Sequence, residues 1–147
     1  MSTVNLGNGI YSFTVSGVCS GPTSGTTASF VLDNLSNGDR GFYSYDVLLS
    51  IKSPNVSKVT TIKTFINYGS KWVGGTSGTG DGAGNNWYAK LAGSTIIHSD
   101  VTANPAVSAS CPISGGPITL SLSGLDNSGG AYGYVTYNAY FVRVPRI

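Results

Sequence analysis

Strand-forming segments separated by clusters of glycine are the feature of this sequence that most constrains its fold. The chain has 21 glycines in 147 residues but neither glutamate nor glutamine, so two strong helix formers are missing altogether. Valine, threonine, tyrosine and isoleucine, which favour strands, are abundant. No window keeps a 3.6-residue apolar period. The sequence therefore predicts an all-β protein with little or no helix.

Alternation of apolar and polar residues marks the individual strands. Segment 118–123 alternates without exception, which is typical of a strand with one buried face. Asn8-Gly9 is a pair favoured in tight turns, and the first strand is expected directly after it. Many short strands joined by turns predict an antiparallel β-sandwich or jelly roll. The predicted strands are 10–15, 27–32, 42–51, 59–68, 71–73, 87–91, 95–98, 118–123 and 132–144.

Turn residues and prolines set the remaining expectations about organisation. Segments 87–91 and 95–98 are expected to form a hairpin around Ala92-Gly93. Segment 101–117 contains three prolines and is expected to be irregular, because proline cannot donate to a strand ladder. The length fits one domain spanning residues 1–147. Pro145 should end pairing, so that residues 144–147 form a short C-terminal arm.

Charge and hydropathy argue against several classes of partner. Charged residues are 10% of the chain, against about 25% in typical soluble domains. The net charge of +2 is spread without a Lys/Arg run, so we expect no nucleic-acid partner. No stretch approaches a membrane span, and the N-terminus lacks the features of a signal peptide. We therefore expect no membrane association and synthesis in a cytoplasm.

The sequence offers no set of residues suited to catalysis. His98 is the single histidine and is expected at a surface or an interface, and no Gly-x-Ser-x-Gly elbow is present. Asp39, Asp81 and Asp126 stand beside glycine, asparagine or arginine in apparent turns, where aspartate serves turn formation. We predict a protein that is not an enzyme, with no catalytic residues, no cofactor and no metal.

The two cysteines leave two alternatives open. Cys19 and Cys111 both lie among glycine, proline and serine. They could form a disulfide after release into an oxidising medium, or stay free thiols, which the lack of an export signal favours.

Aromatic residues flank the most glycine-rich segment, 74–86, which would be a surface loop or a contact with a ligand or subunit. Rings beside Asn and Asp can stack on sugars, whereas ordinary packing against the core is the favoured alternative. The candidate glycan or partner contacts are Trp72, Asp81, Asn85, Asn86, Trp87 and Tyr88.

The last predicted strand carries large apolar groups on both faces. A half-exposed strand should have one polar face. One face can pack on the core, while the other would face another subunit, unless the strand is central and covered by its own loops. The candidate subunit-interface residues are Tyr134, Tyr140, Val142, Arg143, Arg146 and Ile147.

Segment 8–15 (Asn-Gly-Ile-Tyr-Ser-Phe-Thr-Val) and segment 130–142 (Gly-Ala-Tyr-Gly-Tyr-Val-Thr-Tyr-Asn-Ala-Tyr-Phe-Val) resemble the opening and closing strands of small β-rich accessory proteins of tailed-phage virions. These are capsid decoration or cement proteins and fibre knobs. The resemblance implies a virion structural protein, most simply a decoration protein that binds the major capsid or a tail protein and self-associates as a trimer or dimer. The alternative is a lectin-like or receptor-binding fibre or tail knob that binds a host glycan.

Overall fold

The computed structural model describes residues 1–19, 27–36, 41–53, 58–72, 85–100, 105–125 and 135–146. These residues form nine strands and no helix, which confirms the predicted all-β class. Accordingly, this part of the chain contains no helix able to cross a membrane. The strands are β1 (Ser2–Gly7), β2 (Ile10–Val18), β3 (Ala28–Asp33), β4 (Tyr43–Ser53), β5 (Lys58–Trp72), β6 (Asn85–Ser99), β7 (Ala106–Ser110), β8 (Ile118–Ser123) and β9 (Thr136–Pro145).

The strands build two antiparallel sheets. The six-stranded sheet has the order β1-β2-β9-β4-β5-β6, and the three-stranded sheet has the order β3-β8-β7. The chain crosses between the sheets four times, from β2 to β3, from β3 to β4, from β6 to β7 and from β8 to β9. As a result β2 lies beside β9 in one sheet and β3 beside β8 in the other, a pairing characteristic of jelly rolls. The predicted β-sandwich is confirmed.

One hydrophobic core lies between the sheets. Leu32 and Leu120 of the small sheet are fully buried, as is Phe141 at the centre of the large one. The Phe30 ring on β3 stacks on the Tyr137 ring on β9, with ring centroids 3.8 Å apart. Because each strand alternates, inward residues of the two sheets meet in this core. The exposed strand β1 lies beyond it, and no described strand covers the opposite face of the large sheet.

The first hairpin shows what the sequence analysis missed at the N-terminus. Asn8 and Gly9 have φ values of 53° and 75°, the paired left-handed conformation of a type I′ turn. The turn folds β1 back onto β2, with Val4 opposite Ser12. β1 was not predicted because all six of its residues are exposed, so it lacks an alternation imposed by a core.

The predicted hairpin around Ala92-Gly93 is wrong, because β6 continues through these residues as one 15-residue strand. A β-bulge explains how it continues. Phe65 of β5 lies opposite Gly93 and the next residue, Ile66, lies opposite Leu91, which leaves Ala92 as the extra residue. The Thr64 hydroxyl donates to the Gly93 carbonyl at 2.9 Å. The small residues therefore mark a bulge and not a turn.

Two further strand predictions in the middle of the chain are corrected. Segments 59–68 and 71–73 were expected as separate strands but belong to the single strand β5, which pairs with β6 as far as Trp72; Val73 lies outside the described residues. β7 lies inside segment 101–117, which was expected to be irregular. It fits between Pro105 and Pro112 at the edge of the small sheet, where Val107 and Ala109 pack against the core.

The last strand runs from Thr136 to Pro145, and residues 132–134 of its predicted range lie outside the described part. Pro145 stays in the ladder opposite Tyr43. The Arg146 N–H then donates to the Phe42 carbonyl at 2.8 Å. The described residues of the expected C-terminal arm thus remain on the sheet, and Ile147 lies outside the described residues.

Candidate functional site

The face of the six-stranded sheet that points away from the small sheet, called the outer face below, holds part of the predicted subunit interface. β9 is central, between β2 and β4, and its even-numbered residues point to this face. Tyr140 is exposed and Val142 is half-buried there. Tyr134 and Ile147, also predicted for the interface, lie outside the described residues.

Neighbouring strands extend the apolar character of these two residues. Val4, Leu48, Phe65 and Tyr140 are 57%, 40%, 45% and 47% exposed, and with Val142 they form what we call the apolar band. Tyr140 lies opposite Leu48, and Asp46 lies opposite both Val142 and Phe65. Val4, Leu48 and Phe65 were not predicted for the interface, because a single exposed apolar residue in a strand is ordinary. Strand pairing is what brings them together.

A surface ion pair lies within the apolar band. Lys63 pairs with Asp46 across β4 and β5, and both side chains are partly exposed. The Lys63 ammonium also lies 5.7 Å from the centroid of the Phe65 ring. The band therefore combines apolar contact area with one cation and one anion, a composition found in protein interfaces.

Arg143 does not belong to the outer face. Its parity in β9 turns it toward the core, where its Nη1 donates to Asp33 Oδ2 at 3.1 Å. The Tyr45 hydroxyl donates to the same oxygen at 2.9 Å. The Arg143 and Asp33 side chains are only 12% and 6% exposed. Asp33, the last residue of β3, thus links the two sheets.

The surroundings of this network fix its charge states. Burial would lower the pKa of Arg143, but Asp33, Tyr45 and Tyr43 together outweigh burial and raise it. Burial, and then Asp33, raise the pKa of Tyr45 far above its ordinary value, so its hydroxyl stays a neutral donor. The Arg143 guanidinium also lies 4.9 Å from the Tyr43 ring centroid and 5.0 Å from that of Phe13. The network is structural and closed to ligands.

Arg146, by contrast, lies on the outer face at one corner of the sheet. Its Nη2 donates to the Tyr68 carbonyl at 2.8 Å and to the Tyr88 hydroxyl at 3.2 Å. Its guanidinium lies 5.8 Å from the centroid of the Phe42 ring. The structure thus joins Arg146, predicted as an interface residue, to Tyr88, predicted as a glycan contact. The sequence analysis missed Phe42 in this cluster.

The other predicted glycan contacts do not form one group with Tyr88. Trp87 points inward, and its ring stacks on the Tyr68 ring with centroids 5.3 Å apart, so packing against the core describes Trp87. Adjacent strand residues point to opposite faces, which separates Trp87 from Tyr88. In the backbone ladder Trp72 lies opposite Asn85, and Asn86 lies opposite Lys71. Asp81 lies outside the described residues.

His98 is exposed near the end of β6 on the outer face. Its Nε2 lies 2.8 Å from Asp100 Oδ1. The other carboxylate oxygen of Asp100 accepts the Val59 N–H at 3.1 Å, which ties this loop to β5. Among the described residues no group of three His, Cys, Asp or Glu side chains could hold a metal ion.

Cys19 and Cys111 lie at opposite ends of the sandwich. The Cys19 N–H donates to the Val135 carbonyl at 2.8 Å, just before β9 begins. Cys111 comes two residues before Ile113, whose carbonyl accepts the Trp87 N–H at 3.0 Å near the start of β6. The strand registers place these ends a β4 length apart, roughly 30 Å, whereas a disulfide needs Cα atoms within about 7 Å. Both thiols are free, and burial raises the pKa of each.

Comparisons with known proteins concern the fold. No protein-family model matches the chain, and no curated protein matches it. The chain is similar to the crystal structure of the Acinetobacter baumannii phage AM24 tailspike protein, with a TM-score of 0.51 and 16% sequence identity. The match covers 92% of this chain and 26% of the tailspike chain, so the sandwich spans about a quarter of that protein's length. At this identity the likeness concerns the fold alone, and it agrees with the predicted β-rich sandwich.

Proposed function

We propose that this chain is a non-enzymatic structural and receptor-binding module of a phage tail, part of a tailspike or fibre. In this role it acts through the surfaces that its rigid sandwich presents. The observation that carries the proposal is the apolar band on the outer face, which the second sheet leaves uncovered.

The apolar band is suited to burial against another protein surface. Its residues come from four of the five adjacent strands between Val4 on β1 and Phe65 on β5, and β2 contributes Ser12 between Val4 and Val142. Soluble monomers rarely expose contiguous apolar patches larger than a few hundred Å². A second copy of the chain, in a dimer or trimer, or a neighbouring tail protein would remove this patch from water. A partner surface with complementary charges would also form favourable contacts with Lys63 and Asp46.

The fold comparison supports the tail over the capsid. A domain of this fold recurs within a tailspike protein and there accounts for about a quarter of the chain. A capsid decoration protein is the competing assignment, and it would use the same apolar band to bind the shell. The two assignments differ in where the protein lies on the particle.

Immunogold electron microscopy of intact virions tests the proposal. Antibodies raised against the purified chain are applied to particles of the phage that encodes it. We expect gold label at the distal end of the tail. Label spread over the capsid would instead establish the decoration role. If the particles carry no label and mass spectrometry does not detect the chain in them, both the tail assignment and the capsid assignment are contradicted.

A further inference from the structure

We propose that the corner of the outer face formed by Phe42, Tyr88, Lys90 and Arg146, called the Arg146 corner, binds a carboxylate-bearing sugar chain. The inference rests on the proposed receptor-binding function and names the class of receptor. It differs from the sugar site suggested by the sequence, because Trp87 is not part of it.

Arg146 is held in place by hydrogen bonds that use only some of its donors. Its backbone N–H is bound to the Phe42 carbonyl, and one terminal nitrogen, Nη2, is bound to the Tyr68 carbonyl and the Tyr88 hydroxyl. The other terminal nitrogen and Nε have no hydrogen-bond partner among the described residues. A guanidinium offers five N–H groups in a planar fork that matches the two oxygens of a carboxylate. The Arg146 residue as a whole is exposed.

The second argument is the flat apolar surface beside these donors. Gly69 of β5 lies beneath the Phe42 ring, and a Cβ added there would come 2.6 Å from ring carbon Cδ1. It would also come 3.1 Å from Arg146 Nη2. The missing side chain lets the ring and the guanidinium both lie close to the sheet. An aromatic ring beside a few converging polar groups is the composition of small-molecule sites, and it suits a sugar, which is apolar on the face of its ring and polar around its rim.

The third argument is the sign of the local charge. Lys90 is exposed on the same face of β6, two residues from Tyr88 and opposite Asn67. The acids of the described residues lie elsewhere: Asp33 is buried in the core, Asp100 is near the other end of β6, and Asp46 is paired with Lys63. Two cations with no neighbouring acid among the described residues favour an anionic ligand over a neutral one.

The position of the corner keeps it accessible when the apolar band is covered. Gly69 lies four residues along β5 from Phe65, which is roughly 13 Å in an extended strand. The corner is thus at the rim of the outer face, where protein interfaces are polar and solvent-accessible.

Isothermal titration calorimetry on the intact chain tests the inference with four probes: polygalacturonate, dextran sulfate, neutral dextran and inorganic phosphate. We expect polygalacturonate to bind and the other three to bind weakly or not at all. Arg146→Gln should lower the association constant about tenfold or more, because a charge-assisted bidentate contact is lost. Arg146→Lys, which keeps the charge without the fork, should lose most of the same affinity.

Lys52→Gln is the matched control, since Lys52 is an exposed cation on the outer face at the opposite end of β4. We expect it to bind polygalacturonate within about twofold of the unaltered chain, because rim charges remote from a site contribute little. Circular-dichroism melting checks the fold of each variant, and Tyr88→Phe, which removes one hydroxyl, gives a mild second test at the same corner.

Three outcomes would overturn the inference. They are no binding of polygalacturonate, equal losses in Arg146→Gln and Lys52→Gln, and equal binding of dextran sulfate or dextran. None of these outcomes changes where the gold label lies on the virion. Failure of the acidic-glycan inference can therefore be distinguished from failure of the proposed function. Tail label with no polygalacturonate binding would keep the tail assignment and remove the acidic glycan.

Discussion

At the scale of single residues, the buried ion pair formed by Asp33 and Arg143 contrasts with the partly exposed ion pair formed by Lys63 and Asp46. The buried pair crosses between the sheets, and the Tyr45 hydroxyl shares the same carboxylate oxygen. A buried pair gains little over apolar packing, but losing one partner leaves an uncompensated charge in a poorly solvated place. The pair formed by Lys63 and Asp46 has the same chemistry in a more hydrated setting. The two pairs therefore differ mainly in exposure.

We expect Asp33→Asn to lower the free energy of unfolding by about 3 to 5 kcal/mol, because Arg143 would stay buried without its counter-ion. Asp46→Asn, whose side chain is 46% exposed against 6% for Asp33, should change it by no more than about 1 kcal/mol. Urea denaturation followed by tryptophan fluorescence measures both. Equal losses in the two variants would show that the network does not link the sheets as described.

The Cys19 thiol gives a pH dependence with a defined sign. Burial raises its pKa from the ordinary 9.0 to about 11. Above pH 9 the unfolded thiol releases its proton while the folded thiol keeps it, so the stabilisation from Cys19 is complete below pH 9 and is lost as the pH rises toward 11. Urea denaturation at several pH values should show a steeper fall for the unaltered chain than for Cys19→Ala. Parallel curves would mean that the Cys19 thiol is solvated.

Individual residues also show which side-chain positions could be predicted from the sequence. Arg143 and Val142 were predicted for one interface, and Trp87 and Tyr88 for one glycan group, yet each pair consists of adjacent residues in a strand. Strand alternation alone places adjacent residues on opposite faces, so this signal was available in the sequence. The contact between Arg146 and Tyr88 was not, because it joins residues 58 positions apart through the order of strands in the sheet.

At the scale of elements, alternation and turn residues predicted most strands, and the misses share a physical cause. Glycine next to alanine in β6 resembled a turn, although a bulge absorbs one residue and lets the strand continue. β1 lacked a pattern because no core covers it. Alternation of apolar and polar residues indicates that one face of a strand is buried. A strand that is held by pairing alone lacks this alternation, so the local sequence does not predict it.

Substitutions of Gly69 and Gly93, two glycines within strands, test whether close packing requires a glycine at each position. Gly69→Ala should lower the free energy of unfolding by about 1 to 3 kcal/mol, because the new Cβ would come 2.6 Å from the Phe42 ring. Gly93→Ala meets no atom within 4 Å and should be neutral or stabilise by up to about 1 kcal/mol, since alanine restricts the unfolded chain. Thermal and urea unfolding compare the two variants. A Gly69→Ala chain as stable as Gly93→Ala would mean that Phe42 does not pack over the sheet.

At the scale of the whole molecule, the account depends on the unequal size of the two sheets. Six strands face three, so the inward side of the large sheet makes the core and its outer face is left with the apolar band. The sequence could predict that the last strand has two apolar faces, but not which side the partner occupies, because that follows from the position of β9 between β2 and β4. We propose that self-association through this face makes the rigid scaffold an assembly module.

Sedimentation-equilibrium ultracentrifugation tests that claim most directly, with Leu48→Lys in the apolar band and Val31→Lys on the small sheet as a matched control. The two side chains are 40% and 44% exposed, so each variant adds the same charge at a similar depth. We expect the unaltered chain and Val31→Lys to sediment as a dimer or trimer of the 15.1 kDa chain, and Leu48→Lys to sediment as a monomer. An unaltered chain that stays at 15.1 kDa at every concentration, or two variants that dissociate alike, would contradict the account.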